Sequence, residues 1–321
     1  MYRIGIDLGG TIIKVGLLQE GVVVSTRLVN AFSGTGMART LPFIEAAMEE
    51  LLAGAGVSRE AVAGIGLAFP GLVNPETKTV ISTNQKYDDA PDFDFNHWAA
   101  SRWQAPFCMD NDARLATVGE WRYGAAKGYN NVVMVTIGTG IGTGVIIDGK
   151  VLHGAHFQAG SLGGHFVVDY RSRKCSCGNI GCVEALASSY FLPAIIREHE
   201  SLSAEFKERA RQFDFRQLFT LANTGDPEAT LLRNDCMDVW SAALITYIHA
   251  YDPSVIVVGG GIMNSADVIL PYLRERVGRL AWCPSGSVDI VASQLGDHAA
   301  LLGIDHRLNQ VPAVLSKSAR T

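Results

Sequence analysis

Residues 4–18 read Ile-Gly-Ile-Asp-Leu-Gly-Gly-Thr-Ile-Ile-Lys-Val-Gly-Leu-Leu, and this stretch decides the fold class. Two apolar, β-branched-rich runs, 2–6 and 12–18, flank the turn Asp7-Leu-Gly-Gly-Thr11, a strand–turn–strand signature. A hairpin therefore opens the chain. A third short run at 22–28 and helical apolar spacing over Leu41–Leu52, acidic on its other face, complete a βββα unit. The runs at 62–68 and 79–81 predict further strands, and Asp112–Gly128 predicts a helix that begins with polar residues.

The pattern then starts again. Val132–Thr136, the glycine-rich turn Ile137-Gly-Thr-Gly-Ile-Gly-Thr143 and Gly144–Ile147 repeat the order of apolar run, turn, apolar run. A duplication of this kind makes two similar α/β halves facing across a crevice. A helix around Cys236–Ala250, the strand Val255–Val258, the turn Gly259-Gly-Gly261 and helices near Ala266–Leu280 and His298–Leu308 follow. The last ten residues are expected to fray.

Bulk properties narrow the partners. The 321 residues fit two packed domains of roughly 150 residues each. A net charge of −5 and the lack of a long Lys/Arg run argue against a nucleic-acid surface. Asp7 interrupts the N-terminal apolar run before a signal-peptide core forms, and no uncharged apolar stretch is long enough to span a bilayer. The expectation is a cytoplasmic protein with a small-molecule partner and no membrane or nucleic-acid partner.

Three of the six cysteines crowd into eight positions. Cys175-x-Cys177-x4-Cys182, with His165 ten residues upstream, supplies three thiolates and an imidazole, a set suited to tetrahedral zinc. The competing reading is three unconnected structural cysteines, which their density disfavours. Gly178 and Gly181 would let the backbone turn sharply around the ion.

The glycine turns point to a nucleotide. Asp7 stands at the end of a buried strand, followed by Gly9, Gly10 and the hydroxyl of Thr11. The backbone N–H groups of such a turn can approach an anion, and Asp7 can hold Mg²⁺ through water. A plain hairpin turn has the same composition. The second turn, with Thr136, Gly138, Thr139 and Gly140, is denser in glycine than a hairpin needs. A superficial Gly-x-Gly-x-x-Gly dinucleotide match is rejected there because a strand, not a helix, follows. The third turn, Gly259, Gly260 and Gly261, could pass beneath an adenine ring or be an ordinary strand-to-helix connection.

Asp7-Leu-Gly-Gly-Thr11, Ala68-Phe-Pro-Gly71, Asn111-Asp112, the 136–144 turn, Cys175-Ser-Cys-Gly-Asn-Ile-Gly-Cys182 with Glu184, and Val258-Gly-Gly-Gly261 stand in the order found in the ROK sugar kinases, which the chain resembles from residue 4 to about 304. The resemblance implies an α/β fold of two ribonuclease-H-like (actin-like ATPase) domains around a central cleft. The domains are expected at 1–113 with 299–321 and at 114–298, with the C-terminal helix returning to the first. It implies ATP, Mg²⁺ and structural zinc as cofactors, a sugar as substrate, and a homodimer. Lys14 joins Asp7, Gly9, Gly10, Thr11, Thr136, Gly138, Thr139, Gly140 and Gly259–Gly261 as the nucleotide set.

In the resembling family the aspartate matching Asp112 deprotonates the sugar hydroxyl. On residues alone, an aspartate at a helix start reads first as an N-cap, and Asp110 is the competing carboxylate. A helix N-terminus would hold Asp112 ionised, as a weak base. Asn111, Asn84, Ser161, His165 and Glu184 are the further sugar-site candidates, with Glu184 organised by the zinc. One departure stands out. The family's Gly-Glu-x-Gly-His is here Gly160-Ser-Leu-Gly-Gly-His165, so Ser161 or Leu162 takes the place of a glutamate that binds sugar hydroxyls. Loss of such a charge-assisted bond removes roughly 1.5–3 kcal/mol. Either a different sugar is bound, with His156 or Gln158 supplying the contact, or the protein is a weak enzyme with a regulatory role. A repressor would need a helix-turn-helix ahead of residue 7, and actin-like or chaperone ATPases lack the cysteine cluster.

Overall fold

The computed structural model describes residues 1–310, and the C-terminal segment expected to fray lies outside them. The chain divides into two compact units, the first of residues 1–127, 153–159 and 297–310 within the described range, the second of 128–152 and 160–296.

In the first unit a five-stranded sheet runs in the order β3-β2-β1-β4-β7, from β1 (Tyr2–Leu8), β2 (Ile12–Gln19), β3 (Val22–Asn30), β4 (Val62–Phe69) and β7 (Phe107–Asn111). β1, β2 and β3 pair antiparallel, whereas β1, β4 and β7 pair parallel. The short ribbon β5 (Leu72–Asn74) and β6 (Thr79–Ser82) stands outside this sheet. Helices α1 (Met37–Ala55), α2 (Phe95–Trp98), α3 (Asp112–Tyr123) and α10 (Ala299–Gln310) cover it. α1 buries Ile44, Ala47, Met48 and Leu51, one stripe of a helix. Its N-terminus, which starts after Gly36, is satisfied from afar: Asp89 accepts from Met37 N at 2.5 Å and Ala38 N at 3.0 Å. The C-terminal helix does return to this unit, and a buried pair fixes it there: Arg3 Nη1 donates to Asp305 Oδ1 at 2.9 Å, and Gly21 N to Asp305 Oδ2 at 2.8 Å.

The second unit repeats the plan. Its sheet runs β10-β9-β8-β11-β12, from β8 (Val132–Ile137), β9 (Ile141–Ile147), β10 (Lys150–Val151), β11 (Val255–Gly259) and β12 (Asp289–Ala292). The first three strands are antiparallel and the last two join β8 in parallel. Strand order and direction match the first unit position for position, so the duplication read from the two openings is a duplication of topology. The layer over this sheet is formed by α4 (Val183–Ala187), α5 (Leu192–Glu198), α6 (Ala204–Glu208), α7 (Phe215–Asn223), α8 (Pro227–Tyr251) and α9 (Ala266–Leu280). Trp240 of α8 is its central plug, 1% exposed, and donates its indole N–H to Ala187 O at 2.8 Å.

Several boundaries differ from expectation. The helix expected to reach Gly128 stops at Tyr123, beyond which Ala125 N donates to Glu120 Oε2 and Ala126 N to Glu120 O instead of continuing the helical ladder. α8 begins nine residues before Cys236, where Asp226 caps and Pro227 fills the first position. β9 begins at Ile141, so Gly142 and Gly144, expected in the turn, lie in a strand opposite Thr136 and Met134.

Candidate functional site

Parallel strands gather side chains at their C-terminal ends. In the first unit Asp7, Ala68 and Asp110 share one register row across β1, β4 and β7, so Asp7-Leu-Gly-Gly-Thr11, Ala68-Phe-Pro-Gly71 and Asn111-Asp112 emerge together. Burial first, then the neighbouring Asp112 carboxylate, pushes Asp7 up to about 7, against the opposing effect of Lys14. Lys14 lies opposite Asp7 in the β1–β2 register. Its ammonium is held by Asp297, 3.1 Å from Oδ2. Gly9 and Gly10 are half-buried and Thr11 is exposed.

Asp112 is not the helix cap. Asn111 is the N-cap of α3, its Oδ1 accepting from Arg114 N at 3.1 Å, and Asp112 is the first helical residue. The amide of Asn111 also donates to Gly71 O at 3.0 Å and to Asp112 Oδ1 at 2.9 Å. Ala113 N donates to the same Asp112 oxygen at 2.7 Å. Helix position and these bonds favour the anion, yet burial outweighs them and raises the Asp112 pKa. Asp110 is spent on structure: it is 3% exposed and accepts from Asn111 N at 2.8 Å, Arg114 Nη1 at 2.8 Å and His153 Nε2 at 3.1 Å. Arg114 Nη2 in turn donates to Phe157 O at 2.9 Å, which fastens residues 153–159, with exposed His156 and Gln158, to this unit.

A residue that no motif pointed to stands beside these groups. Residues 83–88 form a loop in which Asn84, Gln85 and Tyr87 take φ values of 50°, 62° and 58°, left-handed conformations that cost roughly 1–3 kcal/mol each. Buried contacts hold it: Tyr87 donates its hydroxyl to Gly9 O at 2.8 Å and its N–H to Ser33 O at 2.7 Å. Burial raises the Tyr87 phenol, so it stays a donor. The loop carries Lys86 to the glycine turn, where a Cβ added at Gly10 would lie 3.3 Å from its Nζ. Asn84 itself is exposed.

In the second unit the two remaining glycine turns are neighbours, because β8 and β11 are adjacent and Gly259 pairs with Thr136. Gly260 has φ +93°, and a Cβ there would stand 2.2 Å from Ile137 O, so glycine is dictated by the fold. Gly138 differs. Nothing described lies within 4 Å of where its Cβ would be, and its φ is not in the left-handed region. Gly261 is likewise open, whereas a Cβ on Gly140 would meet Glu184 Oε2 at 2.6 Å. Thr136 Oγ1 donates to Gly142 O at 3.3 Å and Thr139 O accepts from Tyr190 N at 3.0 Å.

The cysteine cluster assembles. The ligand atoms of His165, Cys175, Cys177 and Cys182 all lie within 4.8 Å of one another. Cys177 Sγ and Cys182 Sγ are 3.7 Å apart, and Cys175 Sγ is 3.6 Å from His165 Nδ1. A tetrahedral zinc with bonds of about 2.3 Å to sulfur and about 2.05 Å to nitrogen requires edges of about 3.8 and about 3.6 Å, so the donor set fits that ion. Gly178 and Gly181 take φ values of 93° and 74° in the loop between the cysteines. Cys182 immediately precedes α4, which carries Glu184. Its carboxylate, expected to serve sugar hydroxyls, accepts at Oε2 from Ile141 N at 2.9 Å. The loop 160–165 hangs on Thr143, which donates to Gly160 O at 2.7 Å and accepts from Gly163 N at 2.9 Å, with Ser161 buried.

Comparison with known proteins accords with this arrangement. A family model described as ROK family matches residues 3–308, and the chain belongs to the ROK family. It is 31% identical over 308 residues to a glucokinase of Thermotoga maritima, covering 94% of this chain and 95% of that one. A ROK family glucokinase from Streptomyces griseus, solved with glucose and AMPPNP, superposes with a TM-score of 0.80 at 26% identity, over 97% of this chain and all of that one, 100%. The family also holds regulators: the xylose repressor of Bacillus subtilis is 28% identical over 254 residues, 77% of this chain and 62% of the repressor. The fold is thus the actin-like ATPase type of the ROK sugar kinases. Among the described residues no helix is long and apolar enough to cross a membrane.

Proposed function

We propose that this protein is a cytoplasmic ATP-dependent carbohydrate kinase that transfers the γ-phosphoryl group to a sugar hydroxyl, with Asp112 as general base. The two units are read as its two domains. The observation that carries the proposal is the partly exposed Asp112 carboxylate, fixed through Oδ1, at the same strand ends as Asp7 and its glycine turn. Phosphoryl transfer needs little more than positioning, charge neutralisation and a base.

In this reading Asn111 and Ala113 N–H fix Asp112 Oδ1, which leaves Oδ2 to receive the hydroxyl proton. A raised pKa makes that oxygen a better proton acceptor than an ordinary aspartate. Mg²⁺, held through water by Asp7, would neutralise the β- and γ-phosphates. Gly9, Gly10 and Thr11 present backbone N–H groups to phosphate, and the open space before Gly138 and Gly261 leaves room for the nucleotide to touch backbone. His165 and Glu184 face the sugar; Glu184 does so with the oxygen not bonded to Ile141. Zinc is structural here, since all four donors of the set come from the protein.

A second reading has one observation in its favour. Gly160-Ser-Leu-Gly-Gly-His165 lacks the family's glutamate, and the family includes repressors, so a sugar-binding regulator without turnover shares this fold. The test is ADP release from Mg-ATP across hexoses, pentoses and N-acetylhexosamines. Turnover with any of them supports the kinase; binding of sugar by calorimetry without turnover on any supports the regulator.

A further inference from the structure

We infer that Lys86 is a further catalytic residue, whose ammonium bears on the phosphoryl group as it passes from ATP to the acceptor hydroxyl; the inference rests on the kinase reading above. The need for a cation at this place follows from charge. Asp7 and Asp112 lie close enough to raise each other's proton affinity, and a triphosphate brought to them adds further negative charge. Lys14 offsets part of this charge at Asp7, but its ammonium is shared with Asp297, 3.1 Å away.

Lys86 is placed to supply what is missing. Its Nζ reaches the Gly10 side of the glycine turn, with Cε 3.0 Å from where a Cβ on Gly10 would be. It is also the cation whose field favours ionisation of Asp112. Among the described residues no carboxylate lies within ion-pair distance of its ammonium, in contrast to Lys14. The lysine is half-buried, which limits solvent screening. Its loop is strained at Asn84, Gln85 and Tyr87 and pinned through Tyr87 to Gly9 O, so the ammonium is carried on the backbone of the turn itself. Strain concentrated beside reacting groups is a recurrent sign of function.

The step balances without a further reactant. The acceptor oxygen bonds to the γ-phosphorus as the β,γ-bridging P–O bond breaks. The bond's electron pair leaves with ADP, and the hydroxyl proton passes to Asp112 and then to solvent. Lys86 is neither proton donor nor acceptor in this; it offsets charge on the equatorial oxygens of the group in flight.

The experiment avoids dependence on the sugar by using water as acceptor. Single-turnover hydrolysis of γ-labelled Mg-ATP and the affinity for Mg-ADP are measured in the wild type, Lys86→Met and Lys86→Arg, with melting temperatures to establish folding. Loss of about 100-fold in hydrolysis by Lys86→Met, with Mg-ADP affinity held within about twofold and hydrolysis recovered to within about tenfold by Lys86→Arg, is the result expected. Equal hydrolysis in wild type and Lys86→Met overturns the inference, as does a parallel loss of Mg-ADP affinity, which would assign the lysine to ground-state binding. If the wild type binds no Mg-ADP, the kinase reading itself fails, and this inference with it.

Discussion

The two units share one strand plan and differ in what they place at its strand ends. The first puts titratable groups there: Asp7, Lys14, Asp112 and, from a loop, Lys86. The second puts glycines and threonines there, with a single carboxylate, Glu184, tied to the turn by Ile141 N–H. One copy of the fold thus gathers charged side chains at its strand ends, the other glycine turns beside a Cys/His cluster. A duplicated scaffold can divide labour in this way because the sheet fixes the position of each strand end, while the turn residues that follow are free to change.

The sharpest way to break the comparison is to remove what only the second unit has. Cys182→Ser, or zinc stripping with a chelator, should drop bound zinc from one per chain to none by metal analysis, and lower the melting temperature, since all four donors lie within one small loop region. Turnover should fall with it, whereas Mg-ADP binding at the glycine turns should survive. Loss of nucleotide binding in step with zinc would show that the two functions are not divided.

Glycines sharpen it next. Gly138→Ala adds a methyl where none of the described residues stands within 4 Å, so stability should change by less than about 0.5 kcal/mol. Nucleotide affinity should fall roughly 10- to 100-fold, as expected when about 1–3 kcal/mol of overpacking is imposed on a ligand. Gly260→Ala is the contrast: its Cβ would meet Ile137 O at 2.2 Å with φ at +93°, so the melting temperature itself should fall. If both variants behave alike in thermal denaturation, the distinction between ligand-dictated and fold-dictated glycine fails.

The smallest effect concerns acid. Asp7 is raised to about 7 by burial and by Asp112. A raised carboxyl stabilises the unliganded protein below its ordinary range and loses that stabilisation as pH rises through about 7. Mg²⁺ reverses the preference, because it binds the anion. Mg-ADP affinity should therefore decline up to about tenfold per pH unit below that value and level off above it, with a proton released on binding at pH 6. Calorimetry in two buffers of different ionisation enthalpy reads this directly.

Much of this arrangement was legible in residues. The glycine turns, the cysteine spacing and the repeated hairpin each force a local geometry, and each is found. What was not legible lacked such a signature. Phe107-Cys-Met-Asp-Asn111 has neither alternation nor β-branching, yet it is a fully buried strand at the end of its sheet, because β5, α3 and α10 pack against it. The helices between Val183 and Asn223 are short and take their stability from packing rather than propensity. Asn111 rather than Asp112 caps α3, a choice that two adjacent capping residue types leave open. Lys86 sits among Thr83-Asn-Gln-Lys-Tyr87 without a glycine, so nothing announced a left-handed run there. The bond between Glu184 and Ile141 joins residues 43 positions apart, which only tertiary structure could bring together.

The central claim is that Asp112 takes the proton of the acceptor hydroxyl. Asp112→Asn keeps the shape and one acceptor oxygen while removing the base. With the best sugar from the substrate panel, kcat should fall roughly 10²- to 10⁴-fold while the dissociation constants of sugar and Mg-ADP stay nearly constant. A variant that turns over at the wild-type rate, or that loses sugar and nucleotide binding as steeply as it loses rate, would contradict it.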